Sequence, residues 1–217
     1  MKTPEIVPTI FSLNKKEFKR RFEKIVKVSN KIQIDFMDGK FVPNKSLELK
    51  EIPDLKKYKK TFEAHLMVFH PEKWFKECKK KGFKRVIFHI EAVQNPEKII
   101  HLAKKIKLEV YVAINPSTPL KKIKKIIKEK KGDGILLLGV HPGKEGQKLS
   151  SKIPRRVKKI KKIDKNILVE VDGGINKKTI HKFFKTGVNR LNSGSFVSTS
   201  ENPKKQIEIL KKSFRHI

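Results

Sequence analysis

Residues 120–140 read LKKIKKIIKEKKGDGILLLGV, and their two halves obey different rules. In the first half, Leu120, Ile123, Ile126 and Ile127 recur at helical spacing with lysines between them, which predicts an amphipathic helix over Leu120–Lys128. The second half, GILLLGV, is apolar without alternation, as in a strand buried on both faces of a parallel sheet. A one-faced helix running into a doubly buried strand is the repeating unit of a parallel α/β fold.

The same unit recurs in both directions. Strands are predicted at Glu5–Ile10, Lys31–Met37, Thr61–Met67, Arg85–His89, Glu109–Ile114, Gly134–Leu138, Ile167–Asp172 and Arg190–Asn192. Between them, amphipathic spacing predicts helices at Lys15–Val28, Pro71–Lys81, Pro96–Ile106, Ser151–Ile163, Lys177–Lys185 and Asn202–Phe214, and a shorter one around Ile52–Tyr58. His70-Pro71, Asn95-Pro96 and Asn202-Pro203 read as helix starts, because a first-turn proline loses no hydrogen bond. Strict alternation over eight strands predicts one α/β domain spanning residues 1–217, a single (β/α)8 TIM barrel. An open doubly wound sheet would carry a glycine-rich phosphate loop after the first strand, and Ser12-Leu13-Asn14 is not one.

Composition narrows the function classes. The formal charge is +32, yet the lysines run the length of the chain, as in KKYKK and RRVKKIKKIDKN, opposite apolar residues at helical spacing. That is a solvated face, and no interleaved aromatics or nucleic-acid motif accompany it, so specific nucleic-acid binding is not expected. A single cysteine, Cys78, allows no internal disulfide, and no run approaches the ~20 apolar residues of a membrane span. A soluble, cytoplasmic protein is the expectation.

In a barrel of this kind the chemistry sits at the C-terminal strand ends and the loops that follow. Asp35 in IQIDFMDG and Asp172 in ILVEVDGG lie within apolar strands, where an unpaired carboxylate is expensive. Each taken alone could cap a helix or pair with a lysine. Together at strand ends, they could work opposite faces of one carbon, moving a proton across a stereocentre. A metal beside them could hold both carboxylates and stabilise an enediolate oxygen, with His65 as a third ligand. Gly173-Gly174 and Ser193-Gly194-Ser195 follow the last two strands, the usual phosphate site, where glycine lets backbone N–H groups approach phosphate oxygens. His141–Gln147 reads as a long strand-six loop, a lid or a surface turn.

PTIFS (8–12), DFMDGKFVPN (35–44), AHLM (64–67), FHIEA (88–92), AINPSTPL (113–120), HPGKEGQK (141–148), VEVDGGIN (169–176) and SGS (193–195) occur in that order. In this order they resemble the ribulose-phosphate 3-epimerase family over essentially the whole chain. The resemblance implies a ribulose-phosphate-binding barrel that epimerises C3 of ribulose 5-phosphate. It implies a divalent metal (zinc, iron, cobalt or manganese) held by two histidines and two aspartates, which also serve as acid and base. The aspartates match Asp35 and Asp172, and one histidine matches His65. Substrate-binding positions match Thr9, Met37, Met67, Gly143, Gly146, Gly173, Gly174, Gly194 and Ser195. A small-molecule sugar phosphate as substrate and a homo-oligomeric state are also implied.

Three departures qualify it. The other metal histidine falls on Gln33, a possible but weaker and harder ligand, so weaker metal binding shifted from zinc toward manganese or magnesium is expected. The family's NPGFGGQ becomes HPGKEGQ, which sets Glu145 near the phosphate, to be offset by Lys144 or Lys148. A third methionine position becomes Leu138. Two other readings keep parts of the pattern: a sister epimerase of a ketohexose 6-phosphate, and a weakened sugar-phosphate-binding relative.

Overall fold

In a computed structural model that describes residues 3–215, eight parallel strands close into a barrel, each paired with the next and the eighth with the first. They are β1 (Glu5–Ile10), β2 (Lys31–Met37), β3 (Thr61–Met67), β4 (Arg85–His89), β5 (Glu109–Ile114), β6 (Gly134–Leu138), β7 (Leu168–Asp172) and β8 (Arg190–Ser193). The helices are α1 (Lys15–Val28), α2 (Phe75–Lys81), α3 (Pro96–Lys105), α4 (Lys121–Lys128), α5 (Ile153–Ile163), the single turn α6 (Ser195–Ser198) and α7 (Pro203–Arg215). The fold is a (β/α)8 TIM barrel.

Local chemistry sets the helix starts. Asn14 and Asn95 turn their side chains onto the N–H groups of Glu17 and Lys98, capping α1 and α3, and Asn202 does the same for Lys205 in α7. On α4, Ile123, Ile126 and Ile127 are buried against the barrel, and the lysines between them face outward.

Three connectors differ from the helices that spacing predicts. Around Ile52–Tyr58 there are two 3-10 turns, Leu49–Glu51 and Leu55–Lys57, because Pro53 disfavours helical backbone at Ile52. The predicted Pro71–Lys81 helix opens with a 3-10 turn, Pro71–Trp74, entered from a left-handed His70 (φ 53°). Over Lys177–Lys185 only a 3-10 turn forms, Ile180–Phe183. Its buried residues, Ile180 and Phe183, are three apart, the spacing at which side chains align in a 3-10 turn. Thr179 Oγ1 also ties the segment to Gly174 O at 2.7 Å.

Side-chain alternation divides the strands into two cores. One set (Ile6, Ile34, Ala64, Val86, Val112, Leu137, Val171) packs outward under the helices. The other faces the barrel axis, where Ile87, Tyr111, Ala113, Leu136 and Leu138 form a separate apolar cluster. Below it, at the N-terminal end, Arg85 is ion-paired to Glu63 and Arg190 to Glu170, with the Arg85 guanidinium 4.2 Å over the Tyr111 ring. This polar floor closes the barrel. Cys78 is buried, and burial pushes its thiol upward in pKa, so it is unreactive. Among the described residues no helix is long and apolar enough to cross a membrane.

Candidate active site

Two-residue periodicity along the inward columns places the polar residues at the mouth. Glu63 and Arg190 in the floor are followed, two residues on, by His65 and Asn192; Gln33 is likewise followed by Asp35, and Glu170 by Asp172. Parallel register then sets Asp35 beside His65 and Asp172 beside Asn192.

These side chains form one network. Gln33 Nε2 donates to Asp172 Oδ2 at 2.6 Å and to Asp35 Oδ1 at 2.9 Å, and lies 3.4 Å from His65 Nδ1. Asn192 Nδ2 donates to Gln33 Oε1 at 2.7 Å. His65 Nδ1 is 3.1 Å from Asp35 Oδ1 and 3.7 Å from Asp172 Oδ2. Ligand atoms of Asp35, His65 and Asp172 all lie within 4.8 Å of one another. Behind His65, its Nε2 meets His89 Nε2 at 3.0 Å, and His89 Nδ1 meets Glu91 Oε2 at 3.4 Å.

The electrostatics follow from burial. Asp35 and Asp172 are 9% and 8% exposed, so both are reached only through the mouth. Burial, and then the charge of Asp35, push Asp172 up to about 7, against the pull of His65, the Gln33 hydrogen bond and the Gly173 N–H. Burial would lower His65, but its hydrogen bond to Asp35 and the charges of both aspartates raise it. His89 is lowered, chiefly by burial.

A cavity of about 560 Å³ opens over this network. Thr9, Asp35, His65, Met67, Leu138, Gly143, Gly146, Asp172, Gly173, Gly174, Gly194 and Ser195 line it. Gln33 and Met37 do not. Gln33 is fully buried beneath the carboxylates, and Met37 packs with Met67 and Val42, with Phe11 and Phe41 against them, in the apolar wall. Thr9 Oγ1 is buried without a hydrogen-bond partner among the described residues. Gly174 has to be glycine: its φ is +72°, and a Cβ would lie 2.8 Å from the Leu149 backbone.

Glu145 also lines the cavity, and its partner is neither Lys144 nor Lys148. Arg21 from α1 donates through Nη1 to both carboxylate oxygens, at 3.0 and 2.9 Å. Lys144 and Lys148 are exposed, whereas Arg21 holds Glu145 from behind the cavity wall with its side chain 10% exposed. The loop is braced by Gln147 Nε2, which donates to His141 O and Lys144 O. Asn192, Arg21 and the His89–Glu91 pair are parts of the site that motif reading left without a role. His89 and Glu91 stand at a strand end and were legible by position, whereas Arg21 and Asn192 join the site only through contacts distant in sequence.

A closed parallel barrel with two carboxylates and an imidazole converging at its C-terminal mouth defines a TIM-barrel enzyme equipped for acid–base chemistry. Residues 5–198 match the model of the ribulose-phosphate 3-epimerase family. The chain is 32% identical to ribulose-phosphate 3-epimerase of Bacillus subtilis over 84% of its length and 86% of that protein, and 29% identical to the Mycobacterium leprae enzyme over 96% and 94%. The chain belongs to this family and is an isomerase. Solved structures that share its fold include 3-keto-L-gulonate-6-phosphate decarboxylase from Vibrio cholerae, with TM-score 0.76, 10% identity and 99% and 98% of the two chains covered. Another is 3-hexulose-6-phosphate synthase from Salmonella typhimurium, with TM-score 0.73, 15% identity and 97% and 98% covered.

Proposed function

We propose that this enzyme inverts C3 of a ketose phosphate, interconverting ribulose 5-phosphate and xylulose 5-phosphate, with Asp35 and Asp172 as the acid–base pair. The observation that carries this reading is two carboxylates from well-separated strands meeting in one buried network, one of them pushed up to about 7. Epimerisation needs a base on one face of the carbon and an acid on the other, at the same pH. A pair in which one carboxyl holds a proton and the other does not meets that need. The ionised member takes the C3 proton, the protonated member returns one to the opposite face, and the roles are left exchanged for the reverse reaction.

Other residues position the pair. The Gln33 amide holds the carboxylate oxygens in place. Thr9 Oγ1, unpartnered in the cavity wall, is free to bond a substrate hydroxyl, and Met67, backed by Met37, excludes water. Gly143, Gly146, Gly173, Gly174, Gly194 and Ser195 would receive the terminal phosphate.

The donor set of Asp35, His65 and Asp172 fits a divalent cation: two carboxylates and an imidazole within 4.8 Å. A bound zinc, manganese, iron or cobalt ion would supply positive charge for the enediolate oxygen. The His89–Glu91 pair supports such a role for His65. With Glu91 accepting from His89 Nδ1–H, His89 Nε2 accepts from His65 Nε2–H, leaving the His65 Nδ1 lone pair toward the site. Gln33 is a partial fit, because the group facing the site is its N–H, and its oxygen is held by Asn192. Within this reading the enzyme is cytoplasmic, works as a homo-oligomer and takes a small-molecule substrate.

The test is solvent deuterium incorporation at C3 of ribulose 5-phosphate, followed by NMR. Asp35→Asn and Asp172→Asn should each slow it by a factor on the order of 10² to 10⁴. Exchange at the wild-type rate in either variant rules out the two-carboxylate mechanism.

A further inference from the structure

Glu145 occupies ground that the rest of the mouth leaves for an anion. Its Oε1 lies 3.2 Å from where a Cβ on Gly194 would be, with Thr9 next to the same glycine, so the carboxylate sits over β8 and α6 rather than on the surface. The same oxygen is 3.0 Å from Arg21 Nη1. One carboxylate oxygen therefore bridges the guanidinium and the glycine turn. A substrate phosphate directed to Gly194 and Ser195 would meet this carboxylate at van der Waals range, in a half-buried place where like charges repel strongly.

Arg21 has donors to spare. Its Nε donates to Glu17 Oε1 at 2.6 Å and its Nη1 to Glu145, while Nη2 makes no hydrogen bond among the described residues. A planar guanidinium accepts phosphate bidentately, and a dianion binds it more strongly than a carboxylate does.

The loop backbone is braced by Gln147 and Asn44, and the space beside Glu145 is open. Gly143 (φ +102°) and Gly146 (φ +74°) flank Glu145, and nothing lies within 4 Å of a Cβ position on Gly146. Glu145 is also a reluctant anion: burial and then nearby Asp35 raise its pKa, and Arg21 only partly offsets them.

We propose that Arg21 is the cationic receptor of the substrate's terminal dianion and that Glu145 is a built-in anion which the dianion displaces. This deepens the reading of a phosphorylated ketose and rests on it. The exchange makes the pocket selective. A terminal phosphate replaces the ion pair it breaks, whereas a neutral hydroxymethyl terminus would break it and put nothing on Arg21. Arg21 and Glu145 are specificity residues in this account, set apart from the acid–base pair.

The experiment is calorimetric titration with inorganic phosphate as the probe, on wild type, Glu145→Gln, Arg21→Lys and the double variant Arg21→Gln/Glu145→Gln. Thermal melts check that each is folded, and the double variant leaves no buried charge of this pair alone. Glu145→Gln should bind phosphate at least about tenfold more tightly than wild type. Arg21→Lys should bind it more weakly, and the double variant should lose the gain. Unchanged or weaker binding by Glu145→Gln would overturn the proposal and indicate that Glu145 stays in place against a neutral sugar terminus. A gain that survives in the double variant would overturn Arg21 as the receptor. Because no turnover is measured, failure here is distinct from failure of the epimerase reading, which the deuterium experiment decides.

Discussion

Gln33 reaches both the Asp35 and the Asp172 carboxylate with one amide nitrogen and hands its oxygen to Asn192. An amide N–H quiets the repulsion between Asp35 and Asp172 without adding charge, and Asp172 stays raised to about 7 against its pull. A histidine at position 33 would add a second imidazole to the donor set. Gln33→His should therefore raise zinc affinity by roughly an order of magnitude or more, read by competition with a chromophoric chelator. Affinity unchanged by the substitution would place residue 33 outside the ligand shell. Asn192 would lose its acceptor, and the folded state about 1 kcal/mol with it. The histidine-for-glutamine difference was legible from motif order, because strand-end residues follow the two-residue period. Asn192 and Arg21 were not. Arg21 is one of 54 Lys and Arg residues, and its partner lies 124 positions away. Only the fold singles it out, by burying it.

At the scale of elements, β4 and the short turn after it act as one unit. Arg85 enters the floor, Ile87 the apolar middle, His89 the site, and Glu91 anchors the end by accepting from Asn115 N–H at 2.9 Å. Burial works against the Glu91 carboxylate, but His89, Thr118 and that backbone N–H bring it from the usual 4.5 down to about 2. A depressed folded pKa means the ionised form stabilises the fold. That contribution is present above pH 4.5 and lost as the pH falls through 2. Glu91→Gln should therefore show a shallower loss of stability over this acid range than wild type, in urea titrations at stepped pH. It should also weaken metal binding by about 10-fold, since a neutral amide oxygen fixes the His89 and His65 tautomers less firmly than a carboxylate does. Parallel acid limbs in the two proteins would remove Glu91 from this role. On β6, Gly134→Ala would set a Cβ 2.4 Å from the Tyr111 ring, and about 1–3 kcal/mol of destabilisation is expected in a thermal melt. Strands were legible almost to the residue because doubly buried runs tolerate no polar interruption on their outer face. The connectors at 52–58 and 177–185 were not, because a proline or a three-residue apolar spacing turns helical composition into 3-10 turns.

Over the whole molecule, the buried glutamates of the floor, and Glu145 at the mouth, are matched by arginines drawn from neighbouring strands and from α1. Glu63 and Glu170 are consumed by Arg85 and Arg190 in the floor, and Glu17 and Glu145 by Arg21 beside the mouth. The lysines of α4 stand on the solvent side of the helix and belong to a formal charge of +32 that is spread along the chain. A field of this kind raises the local concentration of any small anion at the mouth without contributing to the chemistry inside. Its range is set by salt, with a Debye length of about 30 Å at 0.01 M and about 8 Å at 0.15 M. For a doubly charged ketose phosphate, kcat/KM should then fall several-fold across that interval, while kcat stays level because the buried carboxylates are poorly screened. Steady-state kinetics in sodium chloride at fixed pH would measure both. If kcat falls in step with kcat/KM, salt is reaching the Asp35–Asp172 pair itself. If neither changes, the lysine-rich faces lie too far from the mouth to steer substrate, and their effect is confined to solubility.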